Sequence, residues 1–318
     1  MHRFNNILCV IEAEAEQRWV LERAVTLAQN QQARLTVLTV LDPVPPVAGI
    51  VPQSVEQALQ QRFIDHVATL LRDIPGAMAP QVKVVFGRGY LAEIREVLRH
   101  GYDLVLKPAR ADADLRSVLF GSDDMHLLRK CPVPVWLLKE GGAVPYRRIL
   151  AAVDFDPAAA VEAAEFNRRI IELAAALALA ESATLHVVHV WEAAAENTLR
   201  LWAPGAGEAQ VAAYVAEERQ RHERWLQELM AASAAVWLGQ ETLDYLKPQL
   251  HLPRGNAGKE VPALAHALGA DLIVMGTLGR SGIPGLLIGN TAETILHKVD
   301  CAVLALKPAA FVSPVTLP

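Results

Sequence analysis

The sequence predicts two tandem α/β domains, each a parallel five-stranded sheet covered by helices on both faces. Three observations carry this: an internal repeat, short apolar runs alternating with amphipathic stretches, and a glycine-studded loop after one of those runs. Residues 87–139 align on residues 255–307 without a gap. Gly87 falls on Gly255, Gly101 on Gly269, Asp103 on Asp271, Leu104 on Leu272, Gly121 on Gly289, Leu128 on Leu296 and Lys130 on Lys298. Eleven of the 53 aligned positions are identical, and the offset stays at 168 through loops as well as strands. The starts correspond too: Ile7-Leu8-Cys9-Val10-Ile11-Glu12 resembles Ile149-Leu150-Ala151-Ala152-Val153-Asp154, at an offset of 142. The second copy therefore carries 26 extra residues (168 less 142) between its first strand and Gly255. A period this long denotes two domains rather than a solenoid of short repeats.

The elements follow from periodicity. In the first copy strands are expected at residues 7–11, 35–40, 82–86, 104–107 and 133–138, and helices at about 17–31, 54–73, 91–100 and 123–130. Ala24, Leu27 and Ala28 recur at helical spacing, whereas Leu35-Thr36-Val37-Leu38-Thr39-Val40 is rich in β-formers. In the second copy strands are expected at 149–153, 183–190, 250–252, 272–275 and 302–306, with a long helix over roughly 208–232. Strands alternating with helices imply parallel pairing through right-handed crossovers. Such sheets bind ligands beyond the strand C-termini, where the strand order reverses. Domains of residues 1–140 and 146–310 are expected, the second with an insertion around 191–248. The short linker Glu140-Gly141-Gly142-Ala143-Val144-Pro145 predicts copies that pack together rather than swing freely.

Composition narrows the function classes. The 318 residues suffice for two domains with their own cores. Hydrophobic residues make up 52% of the chain and mean hydropathy is +0.21, yet no apolar run approaches the ~20 residues of a membrane span. The first residues lead straight into a strand, so no signal peptide is expected and the cytoplasm is the default location. Cys9, Cys131 and Cys301 lie in or beside expected strands; an odd count without CxxC spacing argues against a disulfide framework or a zinc site. Net charge is -5 with basic residues scattered singly, which gives no footprint for nucleic acid.

The most informative stretch runs from Asp271 to Thr291, DLIVMGTLGRSGIPGLLIGNT. An apolar strand breaks into a glycine-rich loop that ends at Gly289-Asn290-Thr291, where a helix begins. Strand, flexible loop and helix N-terminus are the recipe for holding phosphate on backbone N–H groups, and glycine suits it because a Cβ would obstruct the approach. The alternative is that these glycines serve loop geometry only.

The spacing Gly276-x2-Gly279-x9-Gly289-Asn290 resembles the universal stress protein family, whose nucleotide-binding members carry G-x2-G-x9-G-(S/T) after the fourth strand. The flanking residues Ala270 to Thr277 and Gly279-Arg280 match as well. Leu127-Leu128-Arg129-Lys130-Cys131-Pro132 with Val135-Trp136, and Gly289-Asn290-Thr291-Ala292-Glu293, are similar to the tandem E subgroup of that family. The resemblance covers both halves. It implies two Rossmann-like domains of the adenine nucleotide alpha hydrolase type and a stress-response role, regulatory rather than metabolic.

Carried over residue by residue, it implies an ATP or other adenine nucleotide site in the second copy, with Mg2+ only where ATP is bound. Asp154 would read the adenine or ribose edge, and Val153 and Val190 would give apolar contact to the base. Met275 and Gly276 begin the loop and Gly279 folds it over the phosphates. Gly289, Asn290 and Thr291 would present N–H groups and short polar side chains to phosphate oxygens. Arg280 is either a counter-charge or a solvated loop arginine. Asn290 departs from the family's Ser/Thr, and Ala292 lacks a hydroxyl often found there.

The first copy lacks this equipment. Pro108 replaces Gly276 and Ala111 replaces Gly279, removing a donor and the pliancy of the loop. Asp123-Asp124 follow Gly121-Ser122 and repel phosphate. Lys107, standing where Met275 does, is expected to pair with Glu12 and occupy the cleft itself.

No catalytic residue is assigned. GxxxxGK[ST], an SGGxDS-like loop, GxGxxG after the first strand and GxSxG are all missing. Slow ATP hydrolysis or autophosphorylation is the most that the residues allow. No metal site is assigned: His186 and His189 lie three apart on one strand and point to opposite faces. His222 and His251 have no partner that sequence alone establishes.

A second hypothesis comes from the insertion. Trp191, Trp202, Trp225 and Trp237 cluster there with Leu199, Leu201, Tyr214, Leu226, Leu229 and Met230. They form an enlarged core, the interface between the two copies, or a pocket for an apolar, lipid-like ligand or protein partner. The last strand of each copy is a sheet edge. The two edges are expected to pair as an internal pseudo-dimer, and an exposed edge would favour a homodimer.

Overall fold

The computed structural model describes residues 4–13, 15–45, 52–74, 79–109, 122–155, 161–202, 207–235, 239–277 and 289–317. The chain forms two compact units. One comprises residues 3–142, 277–289 and 302–318, and the other residues 1–2, 143–276 and 290–301.

The unit built on the first repeat contains β1 (Asn6–Val10), α1 (Arg18–Gln31), β2 (Arg34–Leu41), α2 (Pro52–Leu71), β3 (Gln81–Phe86), α3 (Gly89–His100), β4 (Leu104–Pro108), α4 (Ser122–Lys130) and β5 (Val135–Leu138). Its parallel strands run in the order β3-β2-β1-β4-β5. The order reverses between β1 and β4, which sets the switch point there. Helices pair as α1 with α2 and α3 with α4, as expected when the crossovers reverse direction at β3. β1, β4 and β5 are buried along their whole length and carry the apolar runs Ile7–Val10, Leu104–Leu106 and Val135–Leu138. β5 begins two residues later than expected, after Pro134, which has no N–H to give a ladder. A sixth strand, β10 (Ala302–Leu306), pairs antiparallel with β5, Val303 opposite Leu137 and Ala305 opposite Val135. The expected pairing of the two repeats' last strands is therefore present.

The other unit contains β6 (Arg148–Ala152), α5 (Val161–Glu181), β7 (Thr184–Val188), α6 (Glu196–Trp202), α7 (Glu208–Ser233), α8 (Gln240–Leu246), β8 (Gln249–His251), α9 (Ala257–Leu268), β9 (Leu272–Gly276) and α10 (Asn290–Leu296). Its strands are parallel in the order β9-β6-β7-β8, so its switch point lies between β6 and β9. α5 packs on β6, β7 and β9, and α7, the long helix of the insertion, packs on α5.

The matched residues of the two repeats perform matched structural work. Gly101 and Gly269 end α3 and α9 in the left-handed conformation, at φ +61° and +58°. Asp103 accepts from the N–H groups of Asn5 (2.6 Å) and Asn6 (3.0 Å) at the entrance to β1. Asp271 accepts from Arg147 (2.7 Å) and Arg148 (2.9 Å) at the entrance to β6. Lys130 Nζ reaches back to Tyr90 Oη at 3.2 Å, and Lys298 Nζ reaches Gly258 O at 3.3 Å, Tyr90 and Gly258 being a matched pair as well. These identities fasten one element to the next and carry no ligand chemistry by themselves. Among the described residues no helix is long and apolar enough to cross a membrane.

Candidate functional site

In the unit built on the second repeat, strand register brings several of the nominated residues together. Ala152 of β6 stands opposite Met275 of β9, so Val153-Asp154 and Gly276 emerge side by side from adjacent parallel strands at the switch point. Val153 and Met275 are buried, and Val153 N–H donates to Val188 O at 3.0 Å, continuing the sheet past β6. Val190 is half-buried, two residues beyond β7, where the flanking His189 N–H donates to His251 O. Asp154 is held through its backbone: its N–H donates to Asn167 Oδ1 (3.1 Å), and Asn167 Nδ2 donates to its carbonyl (2.7 Å). This clamp from the first turns of α5 fixes where the strand ends, while the Asp154 side chain stands exposed.

Gly276 is required by packing. A Cβ there would sit 2.5 Å from Phe166 Cε1 and 2.9 Å from its Cζ, so the Phe166 ring fills the space that a side chain needs. Asn290 and Thr291 are exposed at the start of α10, and Ala292 is buried. Gly289 donates to Thr277 O at 2.9 Å in the unit that contains both. Gly279 and Arg280 lie outside the described residues.

The insertion supplies a wall that the sequence did not reveal. His189 Nδ1 lies 3.4 Å from Val153 O, and its Nε2 lies 2.8 Å from Nδ1 of His222 on α7. The carbonyl assigns the tautomer: His189 donates from Nδ1 to Val153 O, so its Nε2 accepts from His222 Nδ1–H. Phe155 packs edge-on against both imidazoles and tilts over Trp225, with ring centroids 4.9 Å apart. Trp225 also meets His189 edge-on at 4.8 Å. Trp191 is buried and tilts towards His222 at 5.9 Å. Trp191 and Trp225 thus belong to a packed aromatic cluster at the C-terminal ends of β6 and β7, which supports the enlarged-core reading for these two. The Trp202 side chain and Trp237 lie outside the described residues. One sequence signal could have found part of the cluster: His222 and Trp225, at i and i+3, share a face of α7.

His186 points away from His189, as strand alternation requires, and its Nδ1 lies 3.0 Å from His251 Nε2. Burial holds both imidazoles below the usual histidine range. Among the described residues no group of three or more His, Cys, Asp or Glu is placed to hold a metal ion.

In the other unit Lys107 departs from expectation. Its Nζ pairs with Glu93 Oε1 at 3.2 Å and Asp124 Oδ1 at 3.1 Å, not with Glu12. The partners come from α3 and α4, which pack together over β4, while Glu12 follows the neighbouring strand β1. Burial opposes the ammonium charge, but the two carboxylates outweigh it and hold Lys107 above the ordinary lysine range.

Both halves match the model described as "Usp: Universal stress protein family", over residues 3–139 and 145–307. The chain is 28% identical over 324 residues to Universal stress protein E of Escherichia coli (strain K12), spanning 100% of this chain and 98% of that one. It is 27% identical over 318 residues to the Universal stress protein E homolog of Haemophilus influenzae, spanning 96% and 98%. Among solved structures, a universal stress protein of Pseudomonas aeruginosa UCBPP-PA14 aligns with a TM-score of 0.69 at 26% identity, over 96% of this chain and 94% of that one.

Proposed function

We propose, from the premise that the chain belongs to the universal stress protein family, that it is a cytoplasmic regulatory protein of the stress response whose second domain holds an adenine nucleotide. One observation carries the nucleotide reading. The register of β6 with β9 sets Val153-Asp154 beside Gly276 at the switch point, the place where open parallel sheets receive ligands. Val153 would lie under a base, the Asp154 carboxylate would meet a hydroxyl-bearing sugar, and Gly276 stands where the loop departs.

The aromatic cluster of Phe155, His189, His222 and Trp225 supports the same reading by giving the strand ends a rigid wall on the insertion side. The chain's own residues would bind and orient the nucleotide. Asp154, clamped by Asn167, would accept from the nucleoside; Gly276, Gly279 and Gly289 would let the loop approach phosphate; Asn290 and Thr291 would donate to it. Mg2+ would accompany ATP only. The antiparallel pairing of β5 with β10 supports treating the tandem as an internal pseudo-dimer.

The test is mass spectrometry of small molecules released from gently purified protein, beside a Gly279→Val variant of unchanged thermal stability. The reading expects adenine nucleotide from the wild type and its loss from the variant. Folded wild-type protein that releases none, and binds none at millimolar ATP, would overturn it.

A further inference from the structure

The unit built on the first repeat has a cavity of about 520 Å³ at its own switch point. It opens where β1, β2 and β4 end, with Val10, Val40, Leu59 and Phe63 among its apolar lining and α2 forming one side. That volume falls within the usual range for small-molecule sites. Its polar lining is the reverse of a phosphate cradle: Pro108 offers no N–H, and Asp123 stands in the first turn of α4.

Charged groups meet at its floor. Lys107, Glu93 and Asp124 are 5%, 4% and 0% exposed, so one ammonium and two carboxylates are buried together. Buried charge is costly unless it is paired and hydrogen-bonded. The remedy is incomplete among the described residues. Glu93 Oε1 receives Lys107 Nζ, but Glu93 Oε2 is buried without a hydrogen-bond donor among the described residues, and Glu93 itself lines the cavity. At the rim, Glu12 and Arg62 contribute opposite charges, and Asp123 adds a further negative one.

An occupant that satisfies this site needs an apolar body and a positively charged N–H donor. We propose that the first-domain cleft binds a small amphipathic organic cation, its apolar part against Val40, Leu59 and Phe63 and its protonated nitrogen donating to Glu93 Oε2. This site is independent of nucleotide binding in the second domain. The repeat that lacks the glycine loop is, on this view, a receptor for a different ligand class.

Isothermal titration of the full-length protein with tryptamine, tryptophol and indole-3-propionate tests the charge requirement on one ring system. Tryptamine should bind, the neutral alcohol should bind about tenfold more weakly, consistent with loss of a charge-assisted hydrogen bond, and the anion should not bind. Glu93→Gln should weaken tryptamine by a similar factor. Leu59→Trp, which fills the half-buried mouth and leaves the buried charges alone, should abolish binding and keeps the test valid if the glutamine variant is unstable. The proposal fails if tryptamine gives no heat at millimolar concentration, if indole-3-propionate binds as well, or if binding survives Leu59→Trp.

Discussion

Replacing Lys307 with methionine should stabilise the protein at neutral pH, and the gain should fade in alkaline solution. Lys307 directly follows β10, is 5% exposed, and its Nζ has no hydrogen-bond partner among the described residues. The face of Phe311 lies 4.8 Å from the ammonium and compensates part of the burial. Burial lowers its pKa from 10.5 to about 8. At 1.36 kcal/mol per unit, that shift is a penalty of about 3 kcal/mol on the charged form. The sign follows from proton counts. Between about pH 8 and 10.5 the unfolded chain keeps a proton that the folded chain has released, so stability rises with pH across that window. Below it the full penalty applies. Methionine keeps the packing and removes the charge; it also forfeits a cation–π contact of roughly 1 kcal/mol, which leaves a net gain of about 2 kcal/mol at pH 7. Urea unfolding of both proteins, followed by circular dichroism at pH 7 and near pH 10.5, measures it. A variant less stable than wild type at pH 7, or a difference that does not shrink with rising pH, would refute the reasoning.

Two further predictions concern the second repeat. Because burial depresses the pKa values of His186 and His251, their neutral forms stabilise the β7–β8 edge above about pH 6.5, and that contribution is lost as pH falls through the folded-state values. Hydrogen exchange at residues 249–251, corrected for intrinsic rates, should therefore accelerate between pH 7 and 5, and a His186→Gln, His251→Gln double variant should lose most of that dependence. Gly276→Ala should cost about 1–3 kcal/mol through overpacking against Phe166; a thermal-melt cycle with Phe166→Ala should recover part of the loss, whereas a neutral Gly276→Ala would contradict the contact.

The strands of both repeats, β7 included, were legible to within two residues at each end, because buried parallel strands carry apolar runs such as Leu104-Val105-Leu106 and Leu272-Ile273-Val274. The opposite facing of His186 and His189 was legible for the same reason, strand alternation being a local property. Partnerships made by helices were not. Lys107 was assigned to Glu12 on the neighbouring strand, but α3 and α4 deliver Glu93 and Asp124 from above, and helix rotation is not set by strand register. His222 gave no hint of His189, 33 positions away, because the insertion's path back to β7 is a tertiary matter. Asn167 was invisible as a clamp on Asp154 for the same reason. The glycines were read for their ligand chemistry; the structure adds a packing role at Gly276 and a capping role at Gly101 and Gly269.

The pairing of β5 with β10 bears on how the protein is made. The compact unit built on the first repeat is not complete until residues 302–318, which follow the second repeat's other strands, have been synthesised. A ribosome that has released the first 142 residues has released five parallel strands with β5 still a bare edge, open to any other strand it meets. Closure of that edge waits for the whole second repeat, a loop long enough to make the contact slow to find. Early termination anywhere before β10 would therefore harm the first half of the protein as well as the second.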